Sequence, residues 1–388
     1  MGTIRRMGSA RGAAFAAYTI VRRRRNLLRA ALAVVMVFTL IGVAGYMIGS
    51  KKSTPAGPAG SVLDGTYRFD YDAQKAALNG HPHPANTTDV RWWAVRSSCT
   101  SAACVATGTA LDGNSHQVAV TPAVTTVLHF IDGHWQSPPR KHQEPQQNCF
   151  DVKGGGKDPG AETVTSTSLL DPQSDGTLHG TETTTVLTNE CGYQGAVFTL
   201  PFAVARIGDV PAGVTVADPG TVTAVPTTSS PAPAVGGPVL AGTYRLDYDY
   251  EKTTLNDVPG PGPNKTYWWA FRSLCTSAGC VATSARLDDT IHRVAAGPVH
   301  VLHFAENKWQ YSSEPMEIAC SITNKTITAS ESLSWLLEPQ PDATLKGVEI
   351  IPIQTNECGS QGVIRTPFVA TRIDDVPPSV IVADPAMF

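Results

Sequence analysis

The sequence predicts an all-β protein. It reads as two tandem antiparallel meander domains that follow one N-terminal transmembrane helix. Each domain is expected to be an eight-stranded up-and-down barrel, with a β-sandwich as the alternative. Three observations carry this prediction. The 388-residue chain repeats itself, in order, over most of its length. Its segments alternate with a period of two or are rich in Val, Thr, Ile, Trp and Tyr between turn residues. One uncharged apolar run, Ala30 to Gly49, stands apart near the N-terminus.

The repeat is read directly from matched segments. LDGTYRFDYD at 63–72 matches LAGTYRLDYD at 240–249, and RWWAVRSSCTSAACVAT at 91–107 matches YWWAFRSLCTSAGCVAT at 267–283. VLHF, TNECG, the PFAVARIGDVP-type segment and VADP recur in the same order. A unit this long is a whole domain rather than a solenoid repeat, and it can bury a core of its own. The copies are expected at 61–219 and 238–388. A Pro/Thr/Ser-rich spacer at 220–237 would join them, and a shorter one at 50–60 would precede the first.

Each copy opens on a clean alternation. Tyr67, Phe69 and Tyr71 share one parity, and Arg68, Asp70 and Asp72 the other. Copy two repeats this with Tyr244, Leu246 and Tyr248 against Arg245, Asp247 and Asp249. Period two is the mark of a half-buried strand. In copy two, strands are expected at 243–250, 266–275, 279–287, 291–304, 308–320, 325–337, 344–354 and 362–373. Segment 73–80 suits one helical turn. Sequential strands with short links suggest a meander, and closing it removes exposed edges.

The N-terminal segment reads as a single span. Twenty residues rising ~1.5 Å each cross a ~30 Å hydrocarbon core. Arg5, Arg6, Arg11, Arg22 to Arg25 and Arg29 precede the run, and only Lys51 and Lys52 follow it closely. The positive-inside rule then places residues 1–29 in the cytoplasm and both domains outside it. A cleaved signal peptide is the rival, but its apolar core is ordinarily shorter, ~7–15 residues. The formal net charge of −3 provides no basic field to gather nucleic acid, which is not an expected partner.

Eight cysteines suit an oxidising compartment. Four fall at matching places in each copy, so each domain is expected to close its own bridges, and four cysteines allow three connectivities. The favoured one is Cys99–Cys104 with Cys149–Cys191, and in parallel Cys275–Cys280 with Cys320–Cys358. The close pairs flank a tight turn that brings them onto paired strands. Zinc is the alternative, weakened because each copy lacks a second close pair.

No catalytic motif, metal site or cofactor-binding signature stands out. The candidate ligand contacts are Trp92, Trp93 and Arg96, with Trp268, Trp269 and Arg272 in copy two. Adjacent strand residues face opposite sides, so one Trp of each pair belongs to a core and the other to the opposite face. The matched histidines His129 and His303 read as strand residues. Arg206 and Arg372 read as ion-pair partners.

The segments GTYRLDYDY, WWAFRSLCTSAGCVAT and TNECG-x-QG resemble secreted domains of mycobacterial and related actinobacterial membrane proteins. They are similar to domains that follow the transmembrane helix of some actinobacterial Ser/Thr protein kinases. The resemblance covers about residues 61–388. It implies a cell-envelope location and sensing, and no reaction. No kinase domain is expected here. The expected function is therefore non-enzymatic binding or sensing, with a wall polymer or an envelope protein as partner. One alternative is a carrier or sensor of a small apolar molecule inside each barrel. Another is an envelope hydrolase with an unrecognised site.

Overall fold

The computed structural model describes residues 62–85, 88–100, 103–143, 162–189, 193–222, 238–322, 325–356 and 361–388, with the backbone alone within 316–328. The expected cytoplasmic tail, the span 30–49, the first linker, most of the second linker, and Cys149, Cys191 and Cys358 lie outside the described residues. Among the described residues no helix is long and apolar enough to cross a membrane.

Copy one is built on eight strands. They are β1 (Gly65–Asp72), β2 (Thr88–Cys99), β3 (Cys104–Leu111), β4 (Thr125–Ile131), β5 (His134–Gln136), β6 (Thr163–Pro172), β7 (Leu178–Val186) and β8 (Val197–Gly208). Each pairs antiparallel with its sequence neighbour, and β8 pairs back onto β1, with Phe202 opposite Tyr71. Copy two repeats the plan with β9 (Gly242–Tyr248), β10 (Lys265–Thr276), β11 (Gly279–Leu287), β12 (Ala295–Ala305), β13 (Lys308–Ser312), β14 (Ser334–Pro339), β15 (Leu345–Ile353) and β16 (Gly362–Asp374). There β16 closes onto β9. This closure makes each domain a barrel-like sheet rather than a sandwich, because the first and last strands hydrogen-bond to one another.

The opening alternation sorts as its parity dictates. Tyr67 and Tyr71 lie in the core of barrel one with Phe69 packed against it, while Arg68 and Asp70 pair on the outside at 2.7 Å. Tyr244, Leu246 and Tyr248 do the same in barrel two, outside which Arg245 and Asp247 pair at 2.9 Å. Side chains occupy the centre of both barrels. Trp135 and Leu170 are fully buried in the first, and Trp309, Trp335, Phe271 and Phe368 in the second. Gly180 and Gly347 leave room for this packing, since a Cβ at either would stand 2.3 Å from the ring of Phe202 or Phe368.

Two expected strands of copy two are broken. Segments 308–320 and 325–337 contribute only Lys308–Ser312 and Ser334–Pro339 to the barrel. The intervening Met316–Ile322 and Lys325–Glu331 pair with each other as a hairpin, tied back through Glu331 opposite Ile353. Pro315 lies at the first break, and Pro138 and Pro139 interrupt copy one between β5 and Arg140–Gln143. Proline offers no N–H to the ladder at these breaks. Segment 73–80 forms a 3-10 turn at Ala73–Lys75 and a short strand at Ala77–Leu78.

After the last strand each copy returns across its own outer wall. Thr107 Oγ1 donates to Ala217 O and Thr283 Oγ1 to Ala383 O, both at 2.6 Å. Val214 and Val216 cover Ala94 and Leu111, and Val380 and Val382 cover Ala270 and Leu287. Both tails end in a 3-10 turn whose first N–H groups are capped by Asp218 or Asp384.

Candidate functional site

The paired tryptophans divide between core and surface. Trp269 is buried in the core of barrel two, and Trp93 packs against that of barrel one. Trp92 and Trp268 point outward, but neither face is an open platform. Each is covered by a histidine of the β3–β4 or β11–β12 connection, at a centroid distance of 3.7 Å for both Trp92–His116 and Trp268–His292. Arg68 adds its guanidinium over Trp92 at 5.9 Å. The connection is held in shape by Asp112, which accepts the Ser115 N–H at 2.8 Å. Asp288 accepts the Ile291 N–H at 2.9 Å in the same way.

Arg96 stands on the outward parity near the end of β2 and is exposed. It borders an open groove of about 710 Å³ lined by Asp64, Ser97, Ser98, Asp209, Val210 and Asp218 among others. The groove lies where β1 begins, β2 ends and the tail crosses them. Its polar groups are unequally committed. Asp209 pairs with Arg206 at 2.6 Å, and Asp218 Oδ1 accepts the Gly220 N–H at 2.8 Å. Ser97 Oγ accepts the Leu63 N–H at 2.8 Å. No hydrogen bond or ion pair within the described residues engages the Arg96 guanidinium, the Asp64 carboxylate or the Ser98 hydroxyl. The groove thus presents one unspent cation, one unspent carboxylate and one hydroxyl.

Copy two has spent or lost these groups. Arg272 donates to Val382 O at 3.2 Å. Ala241 stands where copy one has Asp64, and Leu274 where it has Ser98. The remaining frame is shared. Arg372 donates to Ala241 O at 2.9 Å and pairs with Asp375, as Arg206 donates to Asp64 O at 2.8 Å and pairs with Asp209. The matched arginines are structural clamps, and the difference between the copies is concentrated in the groove.

Both barrels also hold a carboxylate against a buried tyrosine. Tyr71 Oη donates to Glu182 Oε2 at 3.0 Å, and Arg91 Nη1 reaches the same oxygen at 3.2 Å. In barrel two Tyr248 Oη and Trp335 Nε1 donate to Glu349 Oε2 at 3.0 and 3.1 Å. Burial first, and the adjacent carboxylate second, push both tyrosine pKa values up, so neither hydroxyl ionises near neutrality. On the outer surface His134 meets the Asp171 carboxylate. Copy two replaces this with Lys308 and Glu338, 4.0 Å apart, which marks a cross-strand ion pair rather than a catalytic dyad. His129 is largely buried and His303 exposed, and they face outward.

Cys99 is bonded to Cys104 and Cys275 to Cys280, each pair directly opposite across its hairpin. The first bridge fixes the end of the strand that carries Arg96 and Ser98. The side chain of Cys320 lies, with Cys149, Cys191 and Cys358, outside the described residues.

The family model described as the PknI serine/threonine-protein kinase sensor domain matches residues 59–221 and 237–387, one match on each barrel. The chain belongs to the PknI sensor domain family. Serine/threonine-protein kinase PknI of Mycobacterium tuberculosis and that of Mycobacterium bovis are each 37% identical over 234 residues, covering 54% of this chain and 39% of the kinase. The chain therefore spans well under half of the curated relatives it matches. Among solved structures, the monomer form of the M. tuberculosis PknI sensor domain is 36% identical. It aligns over 43% of this chain and all of that one, with a TM-score of 0.35. The dimer form of that domain is 39% identical over 36% of this chain and 82% of its own, with a TM-score of 0.30. Membership of the PknI sensor domain family agrees with the kinase-ectodomain resemblance read from the WWAFRS-to-GCVAT segment.

Of the six candidate contacts, the structure brings only Arg96 to the groove. The sequence reading missed Asp64 and Ser98. A signal for both was present, because within two otherwise matched segments copy one is polar and copy two apolar at Asp64/Ala241 and Ser98/Leu274.

Proposed function

We propose that this chain is a membrane-anchored sensing protein of the cell envelope, non-enzymatic in its two barrels, with its ligand taken in the Arg96 groove of the first. The observation that carries this reading is that the unspent Arg96 guanidinium and the unspent Asp64 carboxylate line the same open groove. A guanidinium matches a carboxylate or phosphate in a bidentate fork, and a carboxylate in the same groove prefers an amine. The ligand class is therefore a polar molecule with both an acidic and a basic group, such as a peptide-bearing fragment of the wall polymer. Membership of a sensor domain family supports sensing. The packed barrel centres turn the search to the outer surface, away from an apolar cargo inside. Anchoring rests on the apolar run 30–49 with its basic flank.

The test is a calorimetric titration of the full chain with soluble peptidoglycan fragments, with and without their peptide stems. Stem-bearing fragments are expected to bind. Arg96→Ala is expected to weaken them at least about tenfold, the loss of one charge-assisted pair. Arg272→Ala should leave binding unchanged. Equal binding by the Arg96→Ala protein, or by stem-free glycan, would overturn the reading.

A further inference from the structure

The two barrels touch through unlike surfaces. The end of barrel one where β1 stops and the turn Asn79–Gly80 projects meets the outer wall and tail of barrel two. The Ile381 N–H donates to Asn79 O at 3.0 Å. Val164, Val186 and Ala196 of barrel one share one buried apolar cluster with Ala285, Val299 and Val380 of barrel two. At Gly80, with φ +85°, a Cβ would stand 2.2 Å from Ser379 O, so the approach of the two backbones requires glycine.

A contact between unlike surfaces has a consequence when both copies descend from one domain. If each copy kept both surfaces, the free end of barrel two would seat on the free wall of barrel one in another chain, and the contact would propagate. The reciprocal positions are altered in the direction that prevents this. Glu331 lies opposite Ile353 where barrel one has Val164 opposite Val186. Asp257 takes the turn position of Gly80, at φ +63°. On the wall, the cross-strand pair Ala285–Val299 of barrel two is Thr109–Thr125 in barrel one. Seating the second end on the first wall would desolvate the exposed Asp257 carboxylate and Thr125 hydroxyl, and would put Glu331 and Thr109 where the existing dock has valine and alanine, which is costly.

We propose that the tandem barrels form a one-way intramolecular dock, the end of barrel one on the wall of barrel two. Asp257, Glu331, Thr109 and Thr125 close the reciprocal pairing to a second chain. The groove at Arg96 lies at the opposite end of barrel one and stays free of the dock. The two copies thus hold fixed, non-interchangeable places rather than moving as independent modules on a spacer.

The test uses the full chain in detergent, with fluorophores on unnatural amino acids, one on each barrel. Single-molecule energy transfer should give one narrow population for the wild type. Gly80→Asp imports the residue that the second copy already carries at this turn, so the turn tolerates it. It should broaden the distribution and lower the mean transfer. A broad wild-type distribution, or no change on Gly80→Asp, would overturn the dock. A second variant opens the reciprocal surfaces with D257G, E331V, T109A and T125V together. It should assemble with rising concentration in sedimentation, while the wild type does not. A variant that keeps its β circular dichroism and stays monomeric overturns the closing role.

Discussion

The indole of Trp92 and the imidazole of His116 lie face to face, centroids 3.7 Å apart and planes 19° from parallel. Trp268 and His292 repeat the arrangement at 3.7 Å and 20°. Both histidines sit at positive φ, +56° and +55°, a conformation the Asp112 and Asp288 turns impose. The stack therefore ties a strained connection to the barrel wall. A double-mutant cycle between Trp92→Ala and His116→Ala should give a coupling of about 1 kcal/mol by chemical denaturation. Additive effects of the two substitutions would mean that the stack contributes nothing beyond the separate packing of each ring.

Much of this architecture was legible in the sequence because it follows from period and repetition. The Tyr67-Phe69-Tyr71 parity assigns an inner face without reference to anything distant, and matched segments bound the two copies. What was not legible depends on contacts far apart in the chain. The split of 308–320 needed the pairing of Lys308–Ser312 with Ser334–Pro339, and only Pro315 hinted at it. The groove needs Asp64, Ser98 and Asp218 to meet, three positions that no local pattern joins. The cover on Trp92 is illegible for a related reason: His116 comes from a connection that no local pattern places on the strand.

The carboxylates inside the barrels should differ in what their tyrosines contribute. Glu349 accepts from Tyr248 and Trp335, neutral donors, whereas Glu182 accepts from Tyr71 and from the cationic Arg91. Tyr248→Phe removes one of the neutral donors from Glu349 and should cost about 1–3 kcal/mol. Tyr71→Phe should cost less, because Arg91 continues to compensate Glu182. Urea denaturation of the two variants gives the order directly. A larger loss for Tyr71→Phe would show that Arg91 does not stabilise the Glu182 carboxylate.

His300 should make barrel two sensitive to acid. Its ring is stacked on Tyr311 at 3.9 Å and packed against Trp269 and Trp335, each at 4.7–4.8 Å. Burial lowers its pKa to about 3, against a smaller opposing pull from the Val299 backbone. Tyr311, itself pushed up by burial to about 12, stays neutral beside it. The unfolded chain takes up the proton near the ordinary value of 6.5, and the folded barrel does not until about 3. Stability from this site is therefore complete above pH 6.5 and falls progressively as the pH drops towards 3, by a few kcal/mol in order of magnitude. Barrel one carries Thr126 at the matching position, and its own His129 is also held below the usual range by burial. Denaturation midpoints between pH 7 and 4 should fall for the wild type and flatten for His300→Leu. An unchanged slope in that variant would place the acid sensitivity elsewhere.

The short bridges should matter less than the long ones proposed beside them. Cys275 and Cys280 are five residues apart and already opposed on paired strands, so their bond restricts an unfolded loop that is small. Loop-closure entropy puts it at no more than about 2 kcal/mol, against about 4 kcal/mol for a bridge closing a loop of roughly 40 residues. We propose Cys149–Cys191 and Cys320–Cys358 as those longer bridges. Replacing Cys275 and Cys280 by serine should lower stability modestly and keep the β signature in circular dichroism. Replacing Cys320 and Cys358 should cost about twice as much. Peptide mapping without reduction decides the pairing itself: a peptide joining Cys149 to Cys191 is expected, and one joining either to Cys99 or Cys104 would refute it. If the long bridges form as proposed, each closes within its own copy. Reduction should then loosen the two domains separately, without unlinking one from the other.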